Sequence, residues 1–305
     1  MTGRDQDVLP SWRDGAAREA LLAFLDASVD IPEHERLACF DNDGTLWVER
    51  PDYAQLVFFT DALGRAVARD PDLRRRPEYA ALLDRDMAAV GDLGLPRIAV
   101  ALTELFAGVS PELFSEQVRE FMARARHPAL DRPLRTLVYQ PMLELVDELR
   151  KRSFSVAIVT GGGTEFVRAI SEELYGVPPE AVVGTLIEYD YAGGDRPTLR
   201  RTTRVVGGAN EGATKVVNIQ TQLGRRPVMA AGNSDGDTEM LAWVSSGDGP
   251  TLALLVDHDD AAREFDYSGH SVSLSGTEPV LDTASRLGWT IARIATDWER
   301  VFPDV

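Results

Sequence analysis

Leu37 to Phe40 is an apolar run of strand length that stops at Asp41-Asn42-Asp43-Gly44-Thr45, a string of turn formers carrying two carboxylates one residue apart. A run so short, β-compatible and bounded by a turn reads as a buried strand releasing its chain into a loop. In open α/β sheets ligands bind beyond the carboxyl ends of the strands, so the position suits chemistry as well as a turn. The pattern recurs. Phe154 to Val159 runs into Thr160-Gly161-Gly162-Gly163 and a helical stretch starting near Thr164, and Pro227 to Ala231 leads to Gly232-Asn233-Ser234-Asp235-Gly236-Asp237.

These strand ends carry complementary chemistry. A hydroxyl, bare backbone amides and a helix start after Val159 make an anion site. Loop oxygens at Asp41, Asp43, Asn233, Asp235 and Asp237 suit a hard cation such as Mg²⁺, which takes a few carboxylate or carbonyl oxygens and completes its shell with water and phosphate. Of 32 basic residues only Lys151 and Lys215 are lysines. Lys151 closes the helical stretch Pro141 to Arg152, where a cation suits the helix C-terminus. Lys215, in Asn210-Glu211-Gly212-Ala213-Thr214-Lys215, is either a solvated lysine at a helix start or a charge held for the site.

Taken in order, Asp-x-Asp-Gly-Thr, the threonine after a strand, the lysine and Gly-Asn-x-Asp-x-Asp resemble the haloacid dehalogenase (HAD) superfamily of aspartyl-phosphate hydrolases. Within it the chain is most similar to the phosphoserine-phosphatase-like group, which includes acid and phosphocholine phosphatases. The resemblance implies an α/β fold: a HAD-type Rossmann-like core of three α/β/α layers around a mostly parallel sheet, with an inserted α-helical C1 cap. The core is expected over residues 1–47 and 136–305 and the cap over 48–135. Candidate helices there are Gln55 to Ala68, Glu78 to Val90, Pro96 to Phe106 and Pro111 to Ala125, punctuated by prolines as helix starts and breaks are. Gly15 to Ala27 reads as a further helix with one apolar face, and Thr185 to Val206 as a short hairpin about Ala192-Gly193-Gly194-Asp195.

The same resemblance assigns roles. It makes Asp41 the nucleophile and Asp43 the general acid and base. Thr160 and the following amide would hold transferring oxygens, with Gly44, Thr45, Gly161 and Gly162 on the phosphate side, and Lys215 would neutralise growing negative charge and tie to Asp41. Mg²⁺ would be held by Asp41, the Asp43 carbonyl and the loop bearing Asn233, Asp235 and Asp237. Asn233 stands where related phosphatases usually place a metal-binding aspartate. Its amide oxygen can ligate Mg²⁺ without contributing charge. Glu49 lies near the family's amine-reading glutamate, one residue short in spacing, and Arg50 either meets substrate or stays solvated. A phosphonate hydrolase that forms a Schiff base needs a cap lysine, and 48–135 has none.

Other residues have plainer readings. Trp47, Tyr53, Phe58 and Phe59 either line a pocket or pack the insertion onto the core. His34, His127, His258 and His270 lack zinc-ligand spacing, although His258, after the strand Thr251 to Asp257, stands where it would border the pocket. Cys39 precedes Asp41 mid-strand and reads as a core thiol; alone, it can form no intrachain disulfide.

Composition limits the function classes. With 305 residues and 44% hydrophobic content, the chain can bury a large core. A net charge of -17 repels nucleic acid and anionic membranes, no apolar run reaches spanning length, and Met1 to Asp7 is polar. The expectation is a cytoplasmic, Mg²⁺-dependent phosphatase of small-molecule phosphomonoesters, phosphoserine-like or phosphocholine-like substrates among them, with neither nucleic acid nor membrane as partner. Two alternatives stay open on the residues alone: a phosphomutase of the same fold, and a non-catalytic binding or regulatory protein, for which Asn233 speaks.

Overall fold

A computed structural model describes residues 8–271, 274 and 278–304. In chain order its elements are α1 (Ala16–Ala27), β1 (Leu37–Phe40), α2 (Ala54–Arg69), α3 (Pro77–Asp84), α4 (Met87–Leu93), α5 (Leu95–Glu104), α6 (Pro111–Arg124), α7 (Gln140–Lys151) and β2 (Ser155–Gly163). There follow α8 (Thr164–Arg168), α9 (Ser171–Tyr175), β3 (Val182–Ala192), β4 (Thr198–Val206), α10 (Ala213–Leu223), β5 (Met229–Gly232), α11 (Thr238–Ser245), β6 (Leu252–Asp259), β7 (Asp266–Tyr267), α12 (Val280–Leu287), β8 (Thr290–Arg293) and α13 (Ile294–Asp297).

The sheet runs β4-β3-β2-β1-β5-β6-β7, with β8 also paired to β6. β1 lies between β2 and β5, parallel to both, and β2–β3, β5–β6 and β6–β8 are parallel as well. Only the β3–β4 and β6–β7 pairs are antiparallel. Strand alternation divides the core into two layers. Ala38 and Phe40 of β1 join the cluster that takes in α1, α7 and the helices between β1 and β2, whereas Leu37 and Cys39 face Ile219 of α10 and Met240, Leu241 and Val244 of α11. This is the expected α/β/α sandwich. Register aligns the functional loops at one sheet edge: Phe40 pairs with Ile158 and with Ala231, and the Asp41 amide donates to the Ala231 carbonyl at 2.9 Å.

Residues 48–135 are helical as expected, with one correction. The stretch Glu78 to Val90, read as one helix, is two. Arg85 turns left-handed at φ 53 and closes α3, and the Asp86 side chain then accepts the Ala89 amide at 3.0 Å to start α4. The apolar pattern continues across the break, which is why periodicity alone does not reveal it. A ring cluster locks this insertion to the core. Phe58 lies within 5.4–5.7 Å, centroid to centroid, of Phe106, Phe114, Phe121 and also Phe166, which belongs to α8.

The β3–β4 hairpin is longer than a sheet-edge return requires. It extends to the insertion and bonds to it through backbone: Gly108 donates to the Arg201 carbonyl at 2.8 Å, and Arg201 donates to the Val109 carbonyl at 2.9 Å. No helix among the described residues is long and apolar enough to cross a membrane.

Candidate active site

Lys215, near the start of α10, is the centre of the site. Its Nζ donates to Asp41 Oδ1 and to Asp237 Oδ1, each at 2.6 Å, and the residue is 2% exposed. Burial alone would lower its pKa, but the Asp237 and Asp41 carboxylates outweigh that and hold the amine above the ordinary lysine value, so it stays charged. Burial, and after it the Asp237 charge, raise the Asp41 carboxyl well above the usual range, by more than Lys215 lowers it. Asp43 is raised too, chiefly by burial, against the hydrogen bond in which Trp47 Nε1 donates to its Oδ1 at 2.9 Å. Buried carboxylates thus outnumber the one ammonium.

The sequence-predicted residues divide by position. Asp41, Asp43, Glu49, Gly161, Gly162 and Lys215 line one cavity of about 870 Å³, closed on its far side by α2, α5 and the β3–β4 hairpin. Thr160 is fully buried beside it, where its Oγ1 accepts the Gly162 amide at 2.9 Å and its carbonyl accepts Asn210 Nδ2 at 3.0 Å. The glycine run continues β2 instead of forming a separate loop, and Gln55 of α2 docks on it, accepting the Gly163 amide at 2.8 Å. Gly44 is required by geometry. At φ 77, its missing Cβ would come within 2.0 Å of Asn233 Nδ2. Thr45, fully buried, donates to Asn233 Oδ1 at 3.3 Å.

Three expectations need correction. Asp237, expected at the metal, commits one oxygen to Lys215 and the other to the Asn233 and Ser234 amides at 3.0 and 3.1 Å, so it shapes the loop and holds the lysine. Asp235 faces His270, whose Nδ1 lies 3.1 Å from its Oδ2. Arg50 does not line the cavity; its guanidinium stacks 4.4 Å from the Tyr267 ring centroid, because its neighbour Glu49 takes the inward position. Glu49 Oε1 accepts Asn233 Nδ2 at 3.1 Å, and burial above all pushes its pKa up to about 7, against the lowering effect of His258.

The pocket-bordering expectation for His258 also changes. It is buried beneath the Asp41 loop, with Nε2 donating to the Gly44 carbonyl at 2.7 Å and Nδ1 3.0 Å from Glu264, which also accepts Tyr139. Trp47 and Phe58 are fully buried, whereas Tyr53 and Phe59 line the cavity. Sequence reasoning passed over Gln55, Asn210, Glu211 and Glu264. A polar residue interrupting the start of the otherwise apolar α2 was the one available signal, at Gln55.

The family described as haloacid dehalogenase-like hydrolase matches residues 38–242, which include every one of these loops. The chain belongs to that family. The hydrolase matches no curated protein. Among solved structures it is similar to a functionally unknown protein from Anaerococcus prevotii DSM 20548, with TM-score 0.55 and 14% identity over 90% of each chain. It is also similar to a protein of unknown function from Bordetella pertussis Tohama I, with TM-score 0.53 and 20% identity over 84% of this chain and 97% of that one. A probable phosphoserine phosphatase from Vibrio cholerae matches at TM-score 0.41 and 17% identity, over 81% of the hydrolase and 65% of the other chain. The fold that the Anaerococcus and Bordetella proteins share with the hydrolase is the α/β one described above.

Among the described residues of the hydrolase no group of three or more His, Cys, Asp or Glu is arranged to hold a metal ion. Oxygen donors at Asp41, Asp43 and Asn233, beside an excess of buried negative charge, suit Mg²⁺ by their chemistry rather than zinc; Asp41 and Asp43 line the cavity, while the Asn233 amide oxygen accepts Thr45.

Proposed function

We propose that the protein is a Mg²⁺-dependent phosphatase that hydrolyses small-molecule phosphomonoesters through an aspartyl phosphate on Asp41. The observation that carries this reading is the Lys215 ammonium shared at 2.6 Å between Asp41 and Asp237, with Asp43 on the same cavity. A lysine locked this way holds Asp41 in one position and places positive charge where the phosphoryl oxygens gather negative charge.

In the first half of the reaction Asp41 forms a bond to phosphorus while the phosphorus–oxygen bond to the alcohol breaks, and the Asp43 proton passes to the departing oxygen. In the second, water attacks the aspartyl phosphate, Asp43 takes its proton, and phosphate leaves with Asp41 restored. Burial suits Asp43 to this role, since a raised pKa keeps a carboxyl protonated closer to neutral pH. Trp47 holds the Asp43 carboxyl in place, and His258 holds the carbonyl of the next residue, Gly44. Thr160 and the Gly161 amide would bind the transferring oxygens, the Gly162 and Gly163 amides being committed to Thr160 and Gln55. Asp41, the Asp43 carbonyl and Asn233 would hold Mg²⁺, which supplies charge neutralisation for the phosphate and for the crowded carboxylates.

Residues 48–135 act in this reading as a cap that excludes water and polymeric substrates, and the substrate is met in the cytoplasm. The test is phosphate release from a panel of phosphomonoesters with Mg²⁺ or EDTA. Wild-type protein should release phosphate only with the metal, and Asp41→Asn should lower kcat/KM by at least about a thousandfold. Undiminished release by that variant would end the proposal.

A further inference from the structure

The cavity is larger and more apolar than phosphoserine or phosphocholine requires. Pockets of roughly 300–1,000 Å³ hold drug-sized ligands, and this one, at about 870 Å³, lies high in that range. Beyond the Asp41 end its walls are Leu56 and Phe59 of α2, Leu95 and Leu102 of α5, and Leu186 and Ile187 of β3. One cation interrupts that surface. Arg201 of β4 lines the cavity, is 5% exposed, and packs its guanidinium 4.0 Å from the Phe114 ring centroid.

The ring engages the face of the guanidinium and leaves its in-plane N–H groups without an anionic partner. Among the described residues none of the Arg201 guanidinium nitrogens forms an ion pair or a well-aligned hydrogen bond. Nε and Nη1 are wholly covered, the neighbouring Tyr189 hydroxyl interacts with the guanidinium but brings no charge, and Nη2 is the nitrogen left with access to the cavity. Glu165, which also lines the cavity, is already paired with Arg168 at 3.0 Å. A charge kept this deep without a counter-ion costs stability unless a ligand supplies one.

We propose that the substrate is a phosphomonoester whose apolar body fills the cavity and whose far end carries a second anionic group, a carboxylate or a phosphate, received by Arg201. This rests on the phosphatase reading for the phosphate end alone. The backbone bonds between β4 and the insertion at Gly108 and Val109 fix Arg201 in place, so the distance between the two anions is set by the fold.

The experiment compares a phenyl phosphate bearing an ω-carboxyalkyl chain with its methyl-ended isostere. In wild-type protein with Mg²⁺ the acid should have a kcat/KM roughly ten- to a hundredfold higher, as a charge-assisted hydrogen bond implies. Arg201→Gln should bring that ratio close to one, and Arg201→Lys should restore part of it. A ratio near one in wild type, or one that survives Arg201→Gln, overturns the proposal. Calorimetric binding of both esters to Asp41→Asn protein gives a readout that needs no turnover: at least about tenfold tighter binding of the acid supports the Arg201 site, and equal affinities refute it. Hydrolysis of neither ester by wild type, with the acid still bound preferentially, would overturn the phosphatase reading and leave the anion site standing.

Discussion

At the scale of single residues, the protein combines groups whose charges are coupled, as at Lys215, with groups whose hydrogen bonds allow one protonation state only. His127 is of the second kind. Its Nδ1 accepts the Ala129 and Leu130 amides at 3.3 and 3.0 Å, and its Nε2 therefore donates to the Arg50 carbonyl at 2.6 Å. A proton on Nδ1 would face two N–H donors. Burial lowers the pKa of this ring, more than the Arg50 carbonyl and the Glu264 charge raise it. The unfolded chain, with an ordinary histidine pKa of about 6.5, then takes up this proton first as pH falls. The stability His127 contributes is therefore present above that value and declines below it toward the lower folded pKa. Urea midpoints should fall between pH 7 and pH 5, and His127→Gln should flatten that slope; an unchanged slope would show that other groups cause it.

The elements show where local sequence suffices and where it does not. The strand-to-loop transitions at Phe40 and Ala231 were legible because each joins a short apolar run to residues with an evident chemical use; the one expected at Val159 was not, since β2 runs on through the glycines to Gly163. The break between α3 and α4 was not, because it depends on Arg85 accepting a left-handed backbone and on one side-chain cap. Asp86→Ala removes that cap and should cost about 1 kcal/mol in thermal or urea unfolding, with no change in the Asp41 loop. Asp237 teaches the same lesson within the site. Its spacing suggested a ligand, yet the turn brings two amides to one of its oxygens and Lys215 to the other.

For the whole molecule, the question is whether the helices between β1 and β2 unfold with the sheet. The rings around Phe58 unite α2, α5–α6 and α8 in one buried cluster, and the β3–β4 hairpin adds backbone bonds to the same helices. One cooperative transition is expected. All the tryptophans, Trp12, Trp47, Trp243, Trp289 and Trp298, lie outside 48–135, so their fluorescence reports the sheet while far-UV dichroism also reports the insertion. The two curves should coincide in urea. Phe58→Ala should lower stability by about 3–5 kcal/mol, the usual cost of emptying a packed aromatic site; separate transitions in wild type would show that the insertion folds alone.

By itself the sequence determined where the apolar strands lie, the order of the acids, threonine and lysine along the chain, and thereby the family, because these are local patterns of burial period and residue chemistry. Tertiary structure decided what each residue faces. It turned Glu49 into the cavity and Arg50 onto the Tyr267 ring, set His258 beneath Gly44, and brought Arg201 from a hairpin onto Phe114 of a distant helix. Such contacts join residues far apart in the chain, and no pattern within a window of sequence encodes which of them will meet.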